Sequence, residues 1–222
     1  MELVPRALVV GLFTPPPGVP GVDPITKEKI NQIWAEVAPE RGYTQLQATP
    51  DGAQANFTGA SADDGVTIQP PLIQFRSNIP ITADRAAADA ESVLKTIARH
   101  LGVTQFFNLG IRHVYNVPVP DNDARAFVLG RILQKSTGDV AELEMGEGSL
   151  SGGVKFVIQY DSTAYTLVIE PLLSDMRYLY LDLDAQFPGP ATLDDVASRA
   201  RDAQAYVAQS VNRYLDRHLG GG

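Results

Sequence analysis

Val9-Val10-Gly11-Leu12 and Leu109-Gly110-Ile111 are the stretches that decide the fold, because each places a glycine inside an apolar, strand-like run. After the first stretch come a proline-rich bend, a helix, several strands and an alanine-rich helix, and the second stretch opens the same series again. Repeats of this kind determine an architecture before any single residue does. The sequence therefore predicts a single domain, residues 1–222, built of two pseudo-repeats at about 7–103 and 104–219.

The periodicity of apolar residues predicts the elements of each half. Those of the first half are a strand at 7–13, a helix capped at Asp23-Pro24 and stopped by Pro39, a hairpin at 43–58, a strand at 66–77 broken or bulged at Pro70-Pro71, and a helix from Thr82 to His100. Those of the second half are a strand at 106–117, a helix capped by Asp121 or Asn122, strands at 140–145, 154–160 and 165–172, an additional strand at 178–184, and a helix from Thr192.

Each half is thus predicted to contain, in this order, a strand, a helix, several strands and a long helix. Antiparallel meanders with two helices per half favour one curved antiparallel sheet with the helices packed on one face. The predicted fold class is α+β.

Composition excludes several functions. The chain has no cysteine, so disulfides, thiolate metal sites and cysteine nucleophiles are ruled out. A net charge of -8 and a pI near 4.8 disfavour nucleic acid as a partner. The N-terminus does not resemble a secretory signal, and no apolar run approaches the ~18 residues of a membrane span. We therefore expect a cytoplasmic protein that binds neither nucleic acid nor membrane.

Two resemblances accompany these patterns. The order of elements resembles the duplicated saddle of the TATA-binding-protein fold, a likeness of layout over nearly the whole chain. The stretches 110–116, Gly-Ile-Arg-His-Val-Tyr-Asn, and 181–184, Leu-Asp-Leu-Asp, resemble the Gly-Leu-Arg-Tyr-x-Asn and Leu-Asp-x-Asp strands of a sporadically distributed, uncharacterised bacterial protein family. The first stretch has one additional residue before Asn116. This second resemblance implies a fold and carries no agreed activity.

Strand alternation predicts a polar and aromatic surface on the sheet face away from the helices. Its predicted members are Gln74, Arg76, Asn108, Arg112, Tyr178, Tyr180, Asp182 and Asp184. One interpretation is a binding groove in which Arg76 and Arg112 hold anions and the tyrosines are apolar anchors with polar tips. The other is an ordinary solvated face with cross-strand ion pairs, each contributing ~0.2–1 kcal/mol.

No pattern predicts a catalytic, metal or cofactor site. Asp182 and Asp184 share a strand face, but no third acidic or histidine ligand is placed near them. His100 and His218 are expected in the last turns of helices, and His113 in the core. The glycines between Gly146 and Gly153 lack the lysine of a phosphate loop and favour a hairpin turn.

The sequence therefore predicts a binding or assembly module that engages a protein or peptide through the polar-aromatic sheet face or a free edge, with homo-oligomerisation as a further possibility. An enzyme is the less favoured expectation. The alternative is a small-molecule-binding protein or enzyme with a pocket between sheet and helices, where His113, Tyr115 and Arg112 would converge.

Overall fold

The computed structural model describes residues 3, 5–15, 23–61, 63–78, 82–135 and 151–219. Within them lie nine strands: β1 Pro5–Phe13, β2 Gln45–Ala48, β3 Ala55–Thr58, β4 Gly65–Gln69, β5 Leu72–Asn78, β6 Phe106–Pro118, β7 Val154–Tyr160, β8 Thr163–Pro171 and β9 Tyr178–Ala191. The predicted strand at 140–145, and most of the predicted glycine turn, lie outside the described residues.

The described residues also contain four helices. Helix α1 is Lys27–Arg41, α2 is Ala83–Leu101, and α3 begins as Ala124–Ala126 and continues as a π-helical turn, Phe127–Ile132. Helix α4 begins with a 3-10 turn, Leu193–Asp195, and continues as Val196–Tyr206, a π-helical turn Val207–Val211, and Asn212–Leu219.

The described strands form one open antiparallel sheet in the order β2-β3-β4-β5-β1-β6-β9-β8-β7. Strands β1 and β6 are neighbours at its centre, and Gly11 lies directly opposite Gly110. Outward from this pair the chain places β5, β4 and β3 on one side and β9, β8 and β7 on the other. The predicted α+β class with similar halves is confirmed.

Strand β9 has a counterpart in the first half, so the prediction of an additional strand was wrong. It spans 14 residues, continues well beyond Asp184, and lies beside β6 as β5 lies beside β1. The registers also correspond, since Gln74 lies opposite Gly11 and Gln186 opposite Gly110.

The stretch at 66–77 is broken at Pro70-Pro71 into the two strands of a hairpin, so of the two predicted alternatives the break is confirmed and the bulge is wrong. Strands β4 and β5 pair with each other antiparallel, and the Pro70-Pro71 peptide bond between them is cis. Apolar residues continue on both sides of the two prolines, which is why the sequence alone suggested one interrupted strand.

Capping residues set most helix boundaries. The hydroxyl of Thr82, the predicted start of α2, accepts a hydrogen bond from the Arg85 amide at 3.3 Å, and Gly102 closes the helix in the left-handed conformation at φ 67°. Thr26 caps α1 in place of Asp23, and that helix continues through Pro39 to Arg41.

Aspartate side chains also cap the last two helices. Asp123, one residue beyond the predicted pair, caps α3 by accepting from the amides of Arg125 and Ala126 at 3.1 Å. The predicted start of α4 at Thr192 is confirmed by a capping box, in which the Thr192 amide donates to the Asp195 carboxylate at 2.8 Å.

The core lies between one face of the sheet and the helices. Leu8, Val10 and Leu12 of β1 are fully buried on that face, with alternate residues of the neighbouring strands beside them. Helix α2 packs on β1 and β5, and α4 packs on β6 and β9. We call the other side of the sheet the open face.

Candidate functional site on the open sheet face

The structure places the predicted polar set on the open face, because these residues alternate with the buried residues of their strands. In β9, Leu179, Leu181 and Leu183 are fully buried, whereas the intervening Tyr180, Asp182 and Asp184 are partly exposed. In β5 the same alternation separates Gln74 and Arg76 from buried Ile73 and Phe75. The open face is therefore polar in both halves.

A groove of about 280 Å³ on this face is lined by Arg76, Arg112 and Tyr180. Val9 of β1 lies opposite Arg76 on one side and opposite Arg112 on the other, so the arginines belong to one cross-strand row. At a strand spacing of ~4.8 Å, their Cα atoms are roughly 10 Å apart. We call this feature the arginine groove; its lining also includes the apolar residues Ala7, Val9 and Val114 and the carboxylate of Asp63, which forms no ion pair with Arg76.

Arg112 is held by an internal ion pair. Its Nε donates to Asp182 Oδ1 at 2.7 Å and its Nη2 to Oδ2 at 2.6 Å, the bidentate geometry of a strong pair. Nη2 also lies 3.2 Å from the hydroxyl of Tyr180. These contacts raise the pKa of Arg112, with the Asp182 hydrogen bonds as the largest cause. At Arg112 the face is thus an ordinary cross-strand ion pair and not a free anion-binding fork.

Arg76 has no such partner within the described part of the chain. Its Nε is buried without a hydrogen-bond acceptor, and none of the described carboxylates forms an ion pair with it. Gly65, directly opposite it on β4, contributes no side chain. A charge that is sheltered but unpaired gains more from an incoming anion than a paired one does.

A second polar network lies beside the Arg112 pair. Asn108 Nδ2 donates to Gln186 Oε1 at 2.6 Å, and Gln186 Nε2 donates to Asp184 Oδ1 at 2.6 Å. Gly110 makes room for it, since a Cβ there would lie 2.9 Å from Gln186 Nε2. Burial raises the pKa of Asp184. Asp182 and Asp184 therefore have different hydrogen-bond partners.

Tyr178 lies apart from the other predicted site residues. It begins β9 opposite Pro118, where the guanidinium of Arg177 lies 5.7 Å from the centre of its ring. The arginine groove contains Tyr180 but not Tyr178.

The structure adds residues that sequence reasoning missed. Gln186 was not predicted as a site residue because the predicted strand ended at Asp184, before Pro188. The alternation of Tyr180, Asp182 and Asp184 nevertheless continues to Gln186. β9 passes through Pro188, which lies opposite Asn108. Val9 and Ala7 were not predicted to line a groove, because aliphatic residues of a central strand are expected to lie in the core.

The histidines lie where their helices and strands were expected to place them. His113 is fully buried, and its Nε2 lies 3.2 Å from the carbonyl oxygen of Ala200 in α4. Burial lowers its pKa to about 4. His100 lies in the last turn of α2, with its Nε2 3.0 Å from Glu36 Oε2. Among the described residues, no group of three or more histidines and carboxylates could hold a metal ion.

His113 and Tyr115 do not converge with Arg112. Both are fully buried on the helix side of β6, whereas Arg112 is exposed on the open face. Burial also raises the pKa of Tyr115. The constellation that the small-molecule alternative invoked is therefore divided between the two faces of the sheet.

Comparisons with known proteins add little. No family model matches the chain, and no curated protein matches it. Among solved structures, a rolling circle replication initiator protein from Geobacillus stearothermophilus has a TM-score of 0.26 and 12% identity, over 98% of this chain and 86% of that one. A likeness of that size carries no argument. In the described part of the chain, the helices are too short or too polar to span a membrane.

Proposed function

We propose that the protein is a binding module whose open face receives a protein or peptide, and that the arginine groove accepts a carboxylate side chain of that partner. The observation that carries this proposal is Arg76, which lines the groove without an ion-pairing carboxylate among the described residues. Guanidinium groups bind carboxylates through two parallel hydrogen bonds, and a partner aspartate or glutamate would supply both acceptors.

The neighbouring side chains support a partner with extended backbone beside that acid. Tyr180 is partly exposed at the groove and is held by Arg112, so it offers a ring with little conformational entropy to lose. Val9 and Ala7 give an apolar lining for a side chain next to the acid. A groove of this size fits one or two residues, as in transient peptide recognition.

The test is a selection from a random 12-residue peptide library on the purified wild-type protein. We expect the selected peptides to share an aspartate or glutamate at one position, and the Kd of a selected peptide to rise at least tenfold with Arg76→Ala. The asparagine or glutamine analogue of that peptide should lose affinity by a similar factor.

Arg201→Ala is the matched control, because it removes the same charge from an exposed position on α4. Equal weakening by Arg76→Ala and Arg201→Ala would show that only net charge matters and would overturn the proposal. Selected peptides without a shared acidic residue would overturn it as well.

Homo-oligomerisation through a sheet edge is a separate prediction. In the described sheet the outer strands are β2 and β7. Static light scattering at several concentrations measures it directly, and Arg76→Ala should leave the result unchanged because Arg76 lies in an inner strand.

A further inference from the structure

A second recess lies on the helix side of the sheet, where the β7–β8 turn faces α4. It has a volume of about 390 Å³ and contains three tyrosines, Tyr160, Tyr165 and Tyr206. The rings of Tyr165 and Tyr206 are stacked with centroids 4.0 Å apart and an angle of 9°. Tyr160 lies on the outside, 6.4 Å from Tyr206, with 60% of its surface exposed. We call this recess the hairpin cleft.

The charges of the hairpin cleft are unbalanced toward the negative. Asp161, Asp202 and Arg199 line it, so two carboxylates accompany one guanidinium. Arg199 Nη1 lies 3.3 Å from Asp202 Oδ2. Asp161 is exposed and forms no ion pair with any described residue. One carboxylate at the mouth of the cleft is thus left for a cation.

Arg199 shows how this environment holds a guanidinium. Its central carbon lies 5.0 Å from the centroid of Phe187, within the range of a cation–π contact, while its nitrogen reaches Asp202. An aromatic face and a carboxylate together hold this cation at the inner end of the cleft. Tyr160, Tyr206 and Asp161 line the same cleft and are the same two kinds of group, and Asp161 has no ion-pair partner within the described part of the chain.

The wall of the cleft is formed by an irregular part of α4. Gln209 and Ser210 belong to the π-helical turn Val207–Val211, and both line the cleft. Such turns occur frequently at functional sites, because the wider turn changes which side chains face a recess.

We propose that the hairpin cleft binds the guanidinium group of an arginine, seated against Tyr160 and Tyr206 and paired with Asp161. A planar cation stacks on a tyrosine face and still presents its edge to a carboxylate. Two rings enclosing a flat group need roughly 7 Å between them. The centroids of Tyr160 and Tyr206 are 6.4 Å apart and their planes are tilted by 44°, so Tyr160, which is 60% exposed, must rotate to face Tyr206 across a flat group. An anion in the cleft would be repelled by the carboxylates of Asp161 and Asp202. This site goes beyond the proposed function and lies on the opposite side of the sheet.

The test is a ¹H–¹⁵N NMR titration of the protein with N-acetyl-arginine amide. For a ligand of this size we expect a Kd on the order of 1 mM, with chemical-shift changes confined to residues 160–165 and 199–210. The matched probe is the citrulline analogue, which keeps the shape but has no charge, and it should bind at least fivefold more weakly. The lysine analogue should also bind more weakly, because an ammonium group lacks a flat face.

Asp161→Asn and Tyr160→Leu should each weaken the arginine probe at least fivefold, and Arg76→Ala should leave its binding unchanged. Both positions are exposed, so these variants should fold like the wild type, which their spectra report. Equal binding of the arginine and citrulline probes, absence of shifts at the cleft, or unchanged binding by both cleft variants would overturn the proposal. Titration with free arginine and with the peptide acetyl-Gly-Arg-Gly-amide distinguishes a small metabolite from a peptide as the source of the guanidinium.

Discussion

The two sides of the β1–β6 pair share a backbone arrangement but differ in how their polar side chains are satisfied. On the β9 side, Arg112 is paired with Asp182, and Gln186 joins Asn108 to Asp184. On the β5 side, Gln74 lies opposite Gly11 as Gln186 lies opposite Gly110, yet Arg76 has no described ion-pair partner.

This difference distinguishes polar side chains that stabilise the fold by pairing with each other from polar side chains that are available to bind a partner. A network that satisfies its own charges specifies the fold and offers little to a ligand, because a ligand must first displace an internal partner. An unpaired charge on a rigid strand costs stability in the free protein and gains it on binding. The first half is therefore the better candidate for recognition, and substitutions in the two halves should differ in their effects.

The largest contrast lies three residues after each central glycine, where the first half has Thr14 and the second has His113. The pKa of buried His113 is lowered to about 4 from an ordinary value of 6.5, so the folded state binds fewer protons than the unfolded state. Its contribution to stability is therefore present above pH 6.5 and is lost as the pH falls toward 4. We expect a decrease of about 2–3 kcal/mol in the free energy of unfolding between pH 7.5 and 4.5.

Urea unfolding at the two pH values measures this decrease. His113→Gln cannot titrate but retains a donor for the Ala200 carbonyl, so it should remove most of the pH dependence. Thr14→Val should retain the wild-type dependence. A His113→Gln variant with the wild-type slope would show that other groups carry the acid sensitivity.

The next contrast is between the two arginines. Arg112→Ala leaves Asp182, whose side chain is only 15% exposed, without its bidentate donor. We expect a loss of about 1–3 kcal/mol in the free energy of unfolding. Arg76→Ala leaves no described carboxylate without its partner, so it should change the free energy of unfolding by no more than about 0.5 kcal/mol.

Chemical denaturation of the two variants at pH 7 distinguishes these outcomes, and the double variant Arg112→Ala/Asp182→Ala should recover part of the loss. Equal destabilisation by the two arginine variants would mean that Arg76 is as structural as Arg112 and would remove the contrast between the halves.

The sequence predicted the fold class and the face of each site residue, because both follow from local rules. Period-two alternation separates Arg76 and Arg112 from the buried residues of their strands, and Thr82 and Gly102 bound α2 as capping rules require. The place of β9 beside β6 could not be predicted, since strand order depends on pairing between distant segments.

Partner choice on the open face was also beyond the sequence. Arg112 lies directly opposite Asp184 but binds Asp182, the diagonal neighbour, and Gln186 takes Asp184 instead. Both carboxylates are within reach of an arginine side chain, so the choice depends on rotamers and on the space above Gly110. The state of Arg76 depends likewise on what β4 places beside it.

Alanine substitutions of the two central glycines should have smaller effects on the free energy of unfolding, and these effects should be of opposite sign. A Cβ at Gly110 would lie 2.9 Å from Gln186 Nε2, whereas at Gly11 the nearest atom is Leu72 Cδ1 at 3.4 Å. Gly110→Ala must displace the amide that joins Asn108 to Asp184, and we expect a loss of about 1 kcal/mol in the free energy of unfolding. Gly11→Ala should gain about 0.5 kcal/mol, because alanine restricts the unfolded chain. Destabilisation of both variants by the same amount in urea unfolding would contradict this difference.

The smallest expected effect concerns Asp184, for which burial raises the pKa. A carboxyl group whose pKa is raised by folding contributes stability at low pH, and that contribution is lost as the pH rises through the folded pKa. Asp184→Asn keeps an oxygen acceptor for Gln186 and removes the charge, so it should stabilise the protein slightly at pH 7 and leave it unchanged at pH 3. Leu72 is the corresponding position in the first half by strand register, and it has no charge to lose. If Asp184→Asn instead destabilised the protein at pH 7, the carboxylate would be a required member of the network, and the second half would depend on charge more than its geometry indicates.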